Sequence, residues 1–321
     1  MKVKTLLGIG LLCTAALAQG AEPFPSKAVR LVSALPPGAD AYVRALGTRL
    51  AELMGQPFIT DNKVGSSGVQ ALQSVATAPP DGHALLVHSP AFLITKNVQP
   101  SIPYDPVADF AAVAMIYNGG ASILVVRGDS PVKSVEDLIA RARAAPGKLT
   151  FGSGGVGFPA HLSAESFLKV AKAEALHVPF KSTAEYLQGL MRGDTDFSVA
   201  IATSAMSLIR SGRLRALGVA TASRVRDLPD VPTLRELLKS DLLVQDFWAG
   251  LAAPAKTPPE VIRALNAATV KALSDPVVRR SIETPGNTPA GAETPEEFSA
   301  FIRRENDKWR DIVKLTGVKP E

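Results

Sequence analysis

Cysteine is almost absent from this chain. Its one cysteine, Cys13, sits in an N-terminal segment of export character. Lys2 and Lys4 precede an apolar run from Leu6 to Leu17, and Ala16-Leu17-Ala18 supplies the small residues that a signal peptidase reads. Leu12 is bulky where a lipobox wants a small residue, so lipid attachment at Cys13 is not expected. Cleavage after Ala18 leaves 321 − 18 = 303 residues without cysteine. That excludes disulfides, thiolate metal sites and a cysteine nucleophile. A chain of this length must rely on core packing, and it suffices for two lobes of ordinary size.

Other chemistry is also scarce. After residue 18 no run is long and apolar enough to span a membrane, so a periplasmic, soluble product is expected. The four histidines, His83, His88, His161 and His177, read as isolated, none in a His-x-x-x-His pair. No Gly-x-Ser-x-Gly elbow is present. Asp194 and Asp196 have the spacing of a solvated pair. No acid–base set, metal site or cofactor is expected, and the chain does not read as an enzyme. The formal net charge is +5, or +3 without Lys2 and Lys4. Its arginine pairs, Arg141 with Arg143, Arg224 with Arg226 and Arg303 with Arg304, are scattered and lack aromatic neighbours, which argues against nucleic acid.

What the chain does have is strand–helix alternation, twice over. Strands are predicted at 29–35, 56–61 and 84–88, with helices at 40–54, opened by Asp40, and from 68 to about 78. Further strands at 110–116 and 122–127 are separated by Asn118-Gly119-Gly120. A helix from Ser134 to Ala144 follows. The alternation then resumes with strands at 149–152, 176–180, 195–200 and 215–221 and helices at 159–172, 183–192 and 203–211. Residues 242–254 read as extended, and two long helices, 258–273 and 295–315, close the chain. Thr294 and Glu297 form a capping box for the last one, whose apolar stripe of Phe298, Phe301, Trp309, Ile312 and Val313 reads as core. Two α/β blocks with strand-end loops predict an α/β fold of two lobes, with mixed sheets flanked by helices and a cleft between them.

The richest stretch is Leu149 to Leu162. A short strand runs into Gly152-Ser153-Gly154-Gly155-Val156-Gly157, and Pro159 stands where a helix should start. A glycine turn at a helix N-terminus presents N–H groups to an anion. The six residues match Gly-x-Gly-x-x-Gly, but the following strand ends Pro179-Phe180-Lys181 without the acid that a dinucleotide ribose needs. A dinucleotide-dependent enzyme is therefore the weaker alternative. His161, in the first turn of the helix, is placed either to touch a ligand or to cap and pack. A second loop, Pro36-Pro37-Gly38-Ala39-Asp40, follows the first strand, and the two loops suggest a hinged clamp around a small solute.

Many short motifs, in order, carry a family resemblance. They include Phe24-Pro25-Ser26-Lys27, Asp61-Asn62-Lys63, Pro79-Pro80-Asp81-Gly82, Tyr104-Asp105-Pro106-Val107-Ala108-Asp109-Phe110, Phe151-Gly152-Ser153-Gly154-Gly155, Gly212-Arg213-Leu214-Arg215-Ala216-Leu217 and Leu228-Pro229-Asp230-Val231-Pro232-Thr233. The chain resembles the Bug-type extracytoplasmic solute receptors of tripartite tricarboxylate transporters. The resemblance implies a periplasmic-binding-protein-like fold with one lobe from 19–121 and 247–321 and another from 122–246. It implies a monomer that binds a small carboxylate and hands it to membrane transporter subunits. A ligand-presenting partner of a membrane sensor kinase is the alternative in another class. The implied contacts are Pro36, Pro37, Gly38, Ala39 and Asp40 in the first loop. In the second they are Ser153, Gly154, Gly155, Val156, Gly157, Phe158, Pro159 and His161. Ser66, Ser67, Ser89, Ala200 and Thr203 line the cleft.

Four departures from the family pattern change that cleft. The first loop is about two residues shorter than Phe-Pro-Ala-Gly-Gly-x-x-Asp. Phe158 and Pro159 replace hydroxyl residues after the last glycine, Val156 stands where Asn is frequent, and Ala200 where Asp is common. Each makes the site less polar, so a bulkier, more apolar or aromatic carboxylate is expected over citrate or an amino acid.

Overall fold

The computed structural model describes residues 24–35, 40–64, 68–283 and 287–319. The leader at 1–18, Pro36 to Ala39, and Ser66 with Ser67 lie outside them.

The first sheet starts with β1 (Val29–Ser33), β2 (Phe58–Asn62) and β3 (Ala84–His88), with α1 (Ala41–Met54) and α2 (Val69–Ala76) between them and α3 (Pro90–Val98) after β3. β1 lies between the other two strands, parallel to both, and is buried at every position but Arg30, as a central strand with Val29, Leu31 and Val32 requires. β4 (Phe110–Gly120) joins the same sheet, and β5 (Ser122–Arg127) opens the second one. The glycines at 119–120 therefore do not separate two strands of one sheet. They end the strand that carries the chain across.

The second sheet alternates more regularly. α4 (Val135–Ala144) is followed by β6 (Thr150–Ser153), α5 (Pro159–Val170), β7 (Leu176–Pro179), α6 (Thr183–Arg192), β8 (Phe197–Ile201), α7 (Ala202–Arg210) and β9 (Leu214–Val219). The strand order is β7-β6-β8-β5-β9, parallel on the β6 side and antiparallel around β5. α8 (Leu234–Leu238) and a 3-10 turn at Asp241–Leu243 lead back to the first sheet through β10 (Phe247–Pro254). α9 (Pro259–Leu273), α10 (Pro276–Ile282), β11 (Thr288–Pro289) and α11 (Pro295–Thr316) complete the chain. The first sheet then reads β11-β4-β10-β3-β1-β2, also mixed.

The two crossings run side by side, with Phe247 of β10 paired to Gly120 of β4. A Cβ on Gly120 would stand 2.7 Å from the Phe247 Cβ, so only glycine allows this approach. α11 lays Phe298, Trp309 and Ile312 of its predicted stripe into the core of the first sheet, joined by Ile302, with Phe301 and Val313 partly buried against it. Its capping box is formed, Thr294 Oγ1 accepting from Glu297 N at 3.1 Å and Glu297 from Thr294 N at 2.8 Å. Ser134 caps α4, but Asp137 reaches back to Lys133 N instead of closing the box.

Three short helices were not legible. α3 and α10 each begin with Pro at N1, after Ser89 and Asp275, in stretches to which the sequence pattern assigns no element. α8 carries a full Thr233–Glu236 capping box on only five residues, too short to show a period.

Candidate functional site

The first loop is fixed at its flanks. Leu35 and Asp40 bracket it, and the Asn62 side-chain amide at the end of β2 donates to both, to Leu35 O and to Asp40 Oδ2, at 2.9 Å each. Asp40 stands at the N-cap of α1, yet its carboxylate caps no backbone amide. It is fully buried and pairs with Arg44 at 2.9 Å. The Asp40 side chain thus organises the loop's exit. Next to it the rings of Tyr42 and Tyr117 meet edge-on with centroids 5.4 Å apart. Burial pushes the Tyr117 hydroxyl up to about 12, and burial, with Tyr117 and the Asp40 charge, holds Tyr42 well above its ordinary range. Both stay protonated donors at neutral pH.

The second loop connects β6 to α5. Gly155 and Gly157 take φ of 118° and 73°, which a side chain rarely adopts. Ser153 is buried, and its hydroxyl meets Gly155 N at 3.2 Å, Gly155 O at 3.1 Å and His177 Nε2 at 2.7 Å. His161 Nδ1 accepts the Gly157 N–H at 3.1 Å. The reading of four isolated histidines is corrected here. His161 and His177 stack at 3.9 Å between centroids, with Phe151 packed against both rings. The sequence hides this because the parallel pairing of β6 with β7 sets His177 opposite Phe151. Burial, then the neighbouring His177, pushes His161 down to about 4, and burial lowers His177.

Phe158 stands at the N-cap of α5 and Ile201 at the N-cap of α7; neither side chain caps the helix. Side-chain caps are therefore missing from both N-termini; Ala202 N–H is taken by Ala121 O at 2.8 Å and Pro159 has no N–H, so it is the N–H groups of the following first-turn residues that face a ligand. These ends meet at one cleft. A cavity of about 90 Å³ is lined by Ser122, Phe158, Pro159, Ala160, Thr183, Tyr186, Val199, Ile201 and Phe247. A recess of about 60 Å³ beside it shares Ile201 and Phe247 and adds Tyr117, Gly120, Ala121, Ala202, Thr203 and Asn287.

Of the residues expected at the site, Phe158, Pro159 and Thr203 line this cleft. Ser153 and His161 lie behind it, and Gly154 and Val156 are half-buried in the loop. Ser89 is the N-cap of α3, and Ala200 is core, paired with Ile123 and packed under α7. Sequence reading missed Phe247, Tyr186, Tyr117 and Ser122. Phe247 was legible only as part of an extended stretch, and nothing in its spacing assigns it to a cleft. A larger cleft of about 610 Å³ opens on the other side of the crossing strands, with Asp246 at its wall. Burial pushes the Asp246 carboxyl up to about 6, with Glu305 adding to the shift and Lys308 opposing it. Among the described residues no cluster has the makeup of a metal site, and no helix is long and apolar enough to cross a membrane.

The family model for the tripartite tricarboxylate transporter family receptor, TctC, matches residues 42–318. The chain belongs to this family. The chain is 30% identical to protein BugT of Bordetella pertussis over 99% of this chain and 98% of that one. It superposes on Rhodopseudomonas palustris Rpa4515, solved with adipate, with a TM-score of 0.79 and 30% identity, covering 93% of this chain and 100% of that one. MatC of the same organism, solved with malate, gives 0.77 at 28% identity, covering 90% and 100%. The resemblance read from the motifs therefore holds, and so does the periplasmic-binding-protein-like fold. The TctC receptor is a solute-binding protein of a periplasmic family, not an enzyme. Its neighbours' ligands are carboxylates.

Proposed function

We propose that this TctC receptor captures a small carboxylate of apolar or aromatic character in the periplasm and delivers it to the membrane subunits of a tripartite tricarboxylate-type transporter. The leader is removed near Ala18, the mature chain acts as a monomer, and the lobes are 19–121 with 247–321 and 122–246. The observation that carries this reading is the pairing of two helix N-termini with an apolar wall. α5 and α7 start at the cleft after Phe158 and Ile201 without side-chain caps, which leaves first-turn N–H groups beyond Pro159 and Ala202 for a carboxylate. Tyr186, Val199, Phe247 and Pro159 form the wall behind. Such a wall rewards apolar ligand surface by about 25 cal/mol per Å², whereas an ammonium or second carboxylate there would lose its hydration. The first loop, Pro36 to Asp40, and Ser66, Ser67 and Ser89 complete the proposed site on the other lobe.

The test is a thermal-shift screen of the mature protein against aliphatic, amino, dicarboxylic and aromatic acids, followed by calorimetry. Ligand at about 100 times Kd stabilises by about 2.7 kcal/mol, a readable shift. Stabilisation by octanoate or phenylacetate and not by aspartate or glutamate is expected. Tight binding of either amino acid, or silence towards all acids, overturns the proposal.

A further inference from the structure

Two imidazoles hold the glycine loop from behind. A serine hydroxyl has one proton and two lone pairs. Ser153 Oγ accepts from Gly155 N–H at 3.2 Å; with its proton on Gly155 O at 3.1 Å, the 2.7 Å contact to His177 Nε2 requires the hydrogen on that nitrogen. All three capacities of the hydroxyl are then spent within the protein, and none is left for solute. His161 accepts at Nδ1 from Gly157 N–H, which places its own hydrogen on Nε2, 3.8 Å from Glu165 Oε1. The two rings stack face to face, and their burial keeps both neutral.

We infer that His161 and His177 are positioning residues for solute binding: as neutral Nε2–H imidazoles they lock Gly157 and, through Ser153, Gly155, and so aim the N-terminus of α5 at the cleft. Neither side chain touches solute. The inference rests on the reading of this cleft as the solute site. Its physical basis is that the loop is a short glycine turn, closed on its own backbone by Phe158 N–H to Gly155 O at 3.3 Å. Gly155 and Gly157 have wide conformational freedom, and each anchor removes it at one peptide. An unanchored loop would have to pay that entropy on binding, so affinity would fall without loss of any direct contact.

The test uses the whole mature protein with four substitutions. His161→Asn keeps an acceptor where Nδ1 stood, and His177→Gln keeps a donor where Nε2 stood; His161→Leu and His177→Leu remove both. Amide hydrogen exchange at Gly155 and Gly157 and nitrogen NMR of the imidazoles are read without ligand, and affinity is read by calorimetry with phenylacetate and adipate. Wild type should show both rings as Nε2–H tautomers. His161→Leu should speed Gly157 exchange and weaken binding by about tenfold, as loss of one hydrogen bond implies, and His161→Asn should restore both. His177→Leu and His177→Gln should do the same at Gly155. Unchanged exchange and affinity in His161→Leu, or a wild-type His161 protonated at Nδ1, overturns the inference; the NMR arm needs no variant to fold. A wild type that binds neither acid overturns the solute reading instead, while the exchange data still show whether the imidazoles anchor the loop.

Discussion

Asn62 donates its side-chain amide to the buried carboxylate of Asp40 at 2.9 Å. The same nitrogen holds Leu35 O, so one side chain fastens both flanks of the first loop. Asn62→Leu leaves a buried carboxylate and a carbonyl short of a donor. A loss of about 2 kcal/mol is expected from urea unfolding, with weaker solute binding. Asn62→Asp should be worse, because it sets a second negative charge against Asp40.

Gly157 faces the end of α3, beside the first sheet. Its added Cβ would lie 3.2 Å from Val98 Cγ1 at the end of α3, at a φ of 73°. Gly157→Ala should cost about 1–2 kcal/mol from the left-handed backbone alone. Calorimetry should show a larger loss in affinity than Gly147→Ala causes, since Gly147 also has positive φ but meets nothing within 4 Å.

Asp246 lies at the second crossing with a buried Oδ1 that has no hydrogen-bond partner. Its raised pKa means that ionisation at neutral pH opposes folding. Asp246→Asn should raise stability at pH 7.5 by on the order of 2 kcal/mol and do little near pH 4, where the native carboxyl is already neutral. No gain at pH 7.5, read from melting temperatures, refutes this.

Acid should destabilise the protein through its buried rings. His88 and His161 are pushed down to about 4, chiefly by burial. Between about pH 6.5 and 4 the unfolded chain binds these protons and the native chain does not, so stability falls as pH falls, by on the order of 3 kcal/mol for a ring as buried as His88. Asp246 acts oppositely in the same window, because its native carboxyl takes up a proton first. Urea midpoints between pH 7 and 4.5 should therefore fall more steeply in Asp246→Asn than in wild type.

Phe247 supplies the wall shared by both parts of the cleft. Phe247→Ala should weaken an aryl or alkyl carboxylate by about 1.5–3 kcal/mol. Phe158→Ser with Pro159→Thr returns hydroxyls and one N–H to the start of α5. Those changes should move preference in the acid screen towards malate.

Much of the fold was legible because its signals are local. Pro159 after a glycine run marks the start of α5, and Thr294 with Glu297 marks α11. The buried run at β1 and the stripe on α11 were equally plain. The second loop was legible for the same reason, since its glycines and proline are adjacent. What stayed hidden depends on pairing between distant segments. His161 and His177 meet only because β7 lies beside β6 in one register. Phe247 enters the cleft only because it pairs with Gly120 at the crossing. Ser153 and His161 read as solute contacts because they sit in the loop; the structure buries both and gives each a hydrogen bond to the loop's own backbone.

α5 is not the property of one lobe. Leu162, one turn past the glycine loop, packs into the core of the first sheet, although its neighbours Ala164, Phe167 and Leu168 belong to the second. The same helix is tied to the segment leading into β10, since Gln245 meets Ser163 and donates to Ser166 Oγ at 2.7 Å. The helix is thus a rivet through the joint. Wide parting of the lobes would drag Leu162 into water at about 1.5–3 kcal/mol, a toll that a loosely hinged clamp would not meet. The molecule should therefore work with a short stroke, admitting solute by a small rotation about α5, and its radius of gyration should scarcely change between the empty and the loaded receptor.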